Sequence, residues 1–451
     1  MSDKNENPDV IVIGGGLAGL TVTTLLARAG KSVSLFEQSS SEIGGRARTL
    51  VHDGFYFNQG PHALFPADVG AKILQELGVS YTGGIPPATG FEIRGDSKKH
   101  RLLVNGGSSN SLMTQASESG PEKVFAQLSD LLNKSDFAEL DNVSVQEWIG
   151  RNFHDADSIA LMKALISLTT YANDPDIQSA GSALHQFHVY NQGGVMYLDR
   201  GWQTLVDGLV SAAKNAKARI VMGKKAAKVQ RNGSGWQVTL SDQSQVSAKI
   251  LVIASGPNEA EALFHDGEKP EALSKAVKEV KPVRMVCLDV ALSSLPQKDM
   301  LFALGIDSPL YFSVHSAYAE LAPPNGALIH VAKYLGTSIN PNPREDGKEL
   351  EELLDLLQPG WRQVLVKKRP LPNMVVSNTL VTAANRGLSG RAGPKIEEKL
   401  YVVGDWVGRE GLLSNGSFAS AKRAAQEIQN ELAGDLRDSG QKPSITDTLP
   451  S

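Results

Sequence analysis

The first stretch of chain with a readable pattern is Asp9–Ile13, which is continuously apolar after its opening aspartate. Such a run predicts a parallel strand covered on both faces. Leu17–Ala29 reads as a helix, Gly30 stands where a helix C-terminal glycine belongs, and Ser32–Glu37 reads as a second strand. Together they make a βαβ unit of about 30 residues. Asp68–Leu77 predicts a short helix, and from about Leu112 to Gln186 the pattern is helical, with apolar pieces at Val145–Ile149, Ile159–Leu168 and Leu184–His188. Trp202–Lys214 predicts another helix. Arg219–Val221, Ala226–Gln230, Gly235–Leu240 and Gln245–Ile253 then read as strands, with turns at Gly233 and Asp242. A second strand group follows at Val283–Val290, Leu310–Val314 and Ala327–Leu335. Leu350, Leu353, Leu354 and Leu357 have the spacing of one buried helix face. Leu400–Val403 predicts a last strand and Phe418–Leu432 a last helix.

Strands interleaved with helices, closed by a late strand–helix pair, predict an α/β chain in which one domain is interrupted twice by a second. The boundaries drawn are 9–80, 195–280 and 385–434 for the first domain and 81–194 and 281–384 for the second, with flexible tails at 1–8 and 435–451. At 451 residues and 41% hydrophobic, the chain is long enough for large buried cores. A net charge of −4 gives no footprint for nucleic acid. A single cysteine, Cys287, excludes an intrachain disulfide and fits a reducing compartment. The polar start lacks the regions of a signal peptide, and no apolar run reaches the ~20 residues of a membrane span. A cytoplasmic location is expected, and peripheral membrane contact through an amphipathic lid stays compatible with the chain.

Gly14-Gly15-Gly16-Leu17-Ala18-Gly19 carries G-x-G-x-x-G between a strand and a helix, with Glu37 at the end of the next strand. In that context the spacing indicates dinucleotide binding. Gly14 permits the tight turn, Gly16 lets backbone approach a pyrophosphate, and Gly19 allows close helix–strand packing. Leu17 and Ala18 open the helix whose free N–H groups face the phosphates. The carboxylate of Glu37, followed by Gln38, suits ribose hydroxyls. The fingerprint alone does not separate NAD from FAD.

Ser41-Glu42-Ile43-Gly44-Gly45-Arg46 resembles the glycine-doublet motif of the FAD-dependent amine oxidase and phytoene desaturase superfamily, and Leu400–Asp405 resembles its closing strand. The resemblance runs from about Val10 to Leu432. It implies a Rossmann-like FAD-binding domain of the GR2 type interrupted by a mixed α+β substrate domain, with FAD held noncovalently and no metal. By that resemblance Gly44 and Gly45 pass close to the cofactor, and Arg46 neutralises phosphate. Gly404 and Asp405 meet the ribityl chain, Gly416 and Ser417 open a helix aimed at the flavin, and Ala226 meets adenine through its backbone. Gly60, Pro61 and His62 lie beside the isoalloxazine. No second G-x-G-x-x-G follows a later strand, so electrons are expected to leave to oxygen, a quinone or another small acceptor.

His62 is the candidate catalytic group, as proton acceptor or substrate positioner, although a structural hydrogen-bonded histidine is favoured. Tyr311, Ser313 and His315 alternate on one strand and are candidates for a substrate-pocket wall. Within the resemblance, two departures speak against an amine: the aromatic pair of amine oxidases is missing, with Ser417 at one position and no aromatic in Val381–Asn385 for the other; and Val283–Cys287 lacks their lysine. Arg284, beside that missing lysine, points elsewhere. Gly193–Tyr197 followed by Gly201–Leu205 fits the desaturase branch, with Arg200 where a glycine is usual. Lys333 reads as a strand-edge charge, Trp406 as packing, and Cys287 as a small apolar filler. The expected function is hydride transfer from a lipophilic organic substrate to flavin N5. The alternatives are a peroxide-producing amine oxidase and, on the same scaffold, a nonenzymatic binding protein.

Overall fold

The computed structural model describes residues 7–87, 89–94, 99–102, 121–265 and 268–438. The expected helical pattern at 112–120 and most of both expected tails lie outside these residues, but 435–438 continue the last helix.

Val10–Ile13, Val33–Phe36, Arg219–Val221, Ile250–Ile253 and Leu400–Val402 form a parallel sheet with Val10–Ile13 near its centre; Lys395–Glu397 adds an antiparallel edge. Alternation along the strands decides the layers. Val10 and Val12, with Ile250 and Val252, face a core shared with helices Leu17–Arg28, Gln203–Asn215 and Leu413–Asp438. Ile11 and Ile13, with Leu251 and Ile253, face a second core completed by the antiparallel strands Ala226–Asn232, Gly235–Leu240 and Gln245–Ala248. The single strand expected over Gln245–Ile253 is therefore two, broken at Lys249, with one half in each sheet.

A second sheet has seven strands in the order 365–377, 283–292, 327–335, 310–314, 302–305, 90–93 and 99–102. Val286, Leu288 and Val290 face the helix Pro343–Leu357, whose Leu350, Leu353, Leu354 and Leu357 complete that core as the spacing predicts. Met285, Cys287, Tyr311 and Tyr334 face the helices that span 121–134, 145–152, 156–170 and 180–193. Arg200 adopts a left-handed φ of 60°, the conformation a glycine at that place takes freely. The last helix begins at Leu413, a turn earlier than Phe418.

Candidate functional site

The opening strand ends in Gly14, whose φ of 105° brings it under Ala254; a Cβ there would stand 2.8 Å from the Ala254 carbonyl oxygen. The helix Leu17–Arg28 then starts with no side-chain cap, so its first N–H groups are left for another partner. Gly16 has open space where a Cβ would point, whereas a Cβ on Gly19 would collide with the Gly14 carbonyl. Gly16 therefore faces the cleft, and Gly19 is a packing residue outside its lining. Glu37 accepts from the Gly15 N–H at 2.8 Å through one oxygen and from the Ser39 N–H at 2.9 Å through the other. The doublet loop crosses this turn: Gly44 donates its N–H to the Gly15 carbonyl at 2.9 Å.

The distant closing segment meets both loops. Arg46 forms an ion pair with Asp405 at 2.9 Å and donates to the Val376 carbonyl, also at 2.9 Å. Asp405 is buried and accepts from the backbone and side-chain amides of Asn378 at 3.0 and 2.7 Å. Burial alone would raise this carboxyl; the Arg46 charge and the Asn378 bonds outweigh it and hold it below the usual carboxylate value. Beneath the closing turn, buried Arg391 donates to the carbonyls of Gly408, Asp405 and Val407 at 2.7, 3.0 and 3.2 Å. Its guanidinium is pushed down to about 10 by desolvation and stays charged at neutral pH.

These segments enclose a cleft of about 1060 Å³, at the upper end of the ~300–1,000 Å³ common for small-molecule sites. Gly14, Gly16, Leu17, Ala18, Glu37, Gln38, Gly44, Gly45 and Arg46 line it, as do Pro61, His62, Ala226, Gly404, Asp405 and Ser417. Gly60 and Gly416 do not: the open side of Gly60 faces Met374, and that of Gly416 faces the Gly411 carbonyl. Gly15, Tyr171, Trp202, Lys225, Met374 and Asn378 line the cleft without having been marked from the sequence. Gly15 sat inside the fingerprint and was legible there; Met374 and Asn378 arrive from a strand and loop that carry no motif. Arg284 is not part of the lining, and Trp406 is buried in packing with its indole N–H on the Ser255 carbonyl.

His62 stands with its two ring nitrogens 3.1 Å from the carbonyls of Gly60 and Arg46, and its ring edge-on to Trp202. Desolvation pushes this imidazole down to about 4, so it is neutral at pH 7.

A second cavity, of only about 60 Å³, shares Ala63 and Tyr171 with the cleft. Among the described residues no charged one lines it; Tyr171, Tyr190, Tyr197, Tyr311 and Tyr318 do, with Ser313. His315 lies behind this wall, its Nε2 3.0 Å from the Tyr311 hydroxyl. The strand register then sets a row of polar residues across the inner face of the second sheet, pairing Arg369 with Asp289, Asp289 with His330 and His330 with Ser313. Cys287 packs in the core as expected and in addition donates its thiol to Asp289 at 3.2 Å. Lys333 is not an edge charge, because its strand is internal and its ammonium bonds Asp346 and Glu349 at 2.8 and 2.7 Å.

The family model for flavin containing amine oxidoreductases matches residues 17–429. The chain is 25% identical over 313 residues to 4,4'-diapolycopen-4-al dehydrogenase of Metabacillus indicus, covering 61% of this chain and 59% of that protein. It is also 25% identical over 305 residues to carotenoid 3,4-desaturase of Haloarcula japonica, covering 60% of each. The matched region thus spans about three fifths of these curated relatives. Among solved structures, cyclohexylamine oxidase from Brevibacterium oxydans superposes with a TM-score of 0.69 at 16% identity, over 95% of this chain and 100% of that one, a likeness of fold.

Proposed function

This chain belongs to the flavin containing amine oxidoreductase family, and from that premise we propose that it holds FAD noncovalently and removes a hydride from a lipophilic organic substrate. Flavin oxidoreductase chemistry comes with the family. The residues suit a dinucleotide. An uncapped helix end lies beside Gly16, where the backbone has open space, and Glu37 sits at the end of the second strand. No cysteine lines the cleft, in keeping with noncovalent binding. When bound, FAD would supply the two-electron acceptor, at N5.

The observation that carries the substrate reading is the tyrosine-rich cavity of about 60 Å³ that borders the cleft at Ala63 and Tyr171; it holds the reacting end of a substrate, not the whole of a long one. Its wall offers apolar area and hydroxyls, and excludes water from the reacting carbon. Glu37 binds the turn that receives the cofactor, Arg46 and Asn378 orient Asp405, and Arg391 fixes the closing turn. His62, neutral and with a single N–H, donates to one of the two backbone carbonyls beside it, those of Gly60 and Arg46. The amine oxidase reading has one observation in its favour: tyrosine faces can hold a cation. Oxygen or a quinone would take the electrons onward. Among the described residues no helix is long and apolar enough to cross a membrane.

The test is a visible spectrum of the purified protein, followed by anaerobic mixing with phytoene, cholesterol, putrescine and cyclohexylamine. A flavin spectrum that bleaches with phytoene or cholesterol is expected. Bleaching by the amines alone would transfer the site to the second reading.

A further inference from the structure

We propose that Tyr311 is the proton acceptor of this site and that His315, His330 and Asp289 behind it form a relay that draws the proton into the second sheet. The proposal rests on the reading of the smaller cavity as the place of the substrate.

The chain of groups has one consistent hydrogen-bond polarity. Tyr311 lines the cavity, and its hydroxyl is 3.0 Å from His315 Nε2. At the far end, His330 Nδ1 is 2.6 Å from Asp289 Oδ1, so a neutral His330 donates there and its Nε2 is an acceptor. If Tyr311 donates to His315 Nε2, the His315 hydrogen sits on Nδ1. His315 Nδ1 and His330 Nε2 are the two ring nitrogens left without a partner, and both histidines are fully buried. Their rings lie 4.3 Å apart in an edge-to-face pair. The two nitrogens do not bond each other, so the line from Tyr311 to Asp289 has one open step, between the two rings, which a shift of the rings must close for a proton to pass. Buried polar groups left unpaired are costly, and these two lie on adjacent rings.

Burial disfavours charge on the first two groups. Burial lowers the His315 imidazole well below its ordinary value and raises the Tyr311 hydroxyl. The groups that face His315 are Tyr311, the stacked ring of Tyr197, His330 and, more distantly, His62. The Asp289 carboxylate is flanked by Cys287 and by Arg369 at 3.7 Å, and Arg369 continues to Gln59, which lines the cleft.

In the step, one substrate C–H bond breaks with its electron pair leaving as hydride to the flavin. The neighbouring C–H bond breaks heterolytically, its pair becoming the new C=C bond. That proton passes to the Tyr311 oxygen while the Tyr311 proton passes to His315 Nε2. Tyr311 ends as a hydroxyl and His315 as an imidazolium, which returns to neutrality by passing its Nδ1 proton toward His330 and Asp289. Tyr311 is the catalytic residue here; His315 and His330 act through it.

Two measurements test this on the flavin-loaded enzyme. Histidine nitrogen NMR at pH 7 is expected to show His315 neutral with its hydrogen on Nδ1; a charged His315, or one carrying hydrogen on Nε2, overturns the relay whatever the substrate. In anaerobic stopped flow with phytoene, Tyr311→Phe and His315→Gln are each expected to slow flavin reduction by at least about 100-fold, in the range of general acid–base catalysis. Flavin content and reduction by dithionite stay at wild-type level in both. The wild-type rate is expected to fall at acidic pH as His315 is protonated, and that limb disappears in His315→Gln. Wild-type rates and pH profile in Tyr311→Phe would overturn the proposal, while bleaching of the wild type by phytoene separately tests the substrate reading.

Discussion

At the scale of single residues, the two outer functions of the glycine turn separate cleanly. Gly16 has ordinary backbone angles and empty space before it, whereas a Cβ on Gly19 strikes the Gly14 carbonyl. Gly16→Val is therefore expected to fold normally and lose FAD, and Gly19→Ala to lose about 1–3 kcal/mol of stability through overpacking. Urea unfolding alongside flavin content checks both, and equal stability losses in the two variants would count against the distinction. His62 supplies a pH signature. Its folded value of about 4 lies below the ordinary 6.5. Between these values the unfolded chain binds the extra proton, so stability falls as pH falls from about 6.5 toward 4. His62→Gln is expected to shallow that slope in denaturation midpoints taken at pH 7, 6 and 5; His315 keeps part of it, because its value is depressed in the same direction. The glycines, Glu37, Arg46 and Asp405 were legible in the sequence because each belongs to a local motif. Asn378 and Arg391 were not, because their partners are set by tertiary contacts rather than by spacing.

At the scale of elements, the last helix is tied to the closing strand by Tyr401, whose hydroxyl donates to Glu431, and to the turn after that strand by the Ser420 hydroxyl. Ser420 accepts from the Gly404 N–H at 3.0 Å and donates to the Gly404 carbonyl at 2.9 Å, fully buried. Ser420→Ala leaves that N–H without its partner and is expected to cost about 1–3 kcal/mol, with a matching loss of flavin retention read from the same unfolding series. The central strands were readable because burial on both faces makes them continuous apolar runs. Leu365–Ser377 was missed for the opposite reason: it carries Lys367, Lys368, Arg369, Pro370 and Pro372 and is largely exposed. It is an edge strand, where proline and charge are tolerated. The break at Lys249 was hidden because both halves of that run are β-forming, and nothing local says that they belong to different sheets.

At the scale of the whole molecule, the two cavities meet at Tyr171, which caps the helix Ala156–Thr170 with a left-handed φ of 59°. That conformation costs a tyrosine more than an asparagine. Tyr171→Asn keeps the turn and removes the ring between the cavities. It is expected to raise kcat/KM for bulky substrates relative to small ones by several-fold, and an unchanged ratio would show that the ring does not gate entry. The α/β architecture and the family followed from the two chain ends. The polar row through Asp289 and His330 did not, because it exists only once the register of the second sheet is fixed.

The Arg46–Asp405 pair carries one more consequence. The ribosome releases the glycine turn and its doublet hundreds of residues before the strand that bears Asp405. A nascent chain can therefore build half of the nucleotide cradle early, but its wall is finished only when the final strand and helix slot in beside the first. If the cleft takes FAD as proposed, capture must await the end of synthesis, because half of the wall that receives it is among the last parts of the chain to be made.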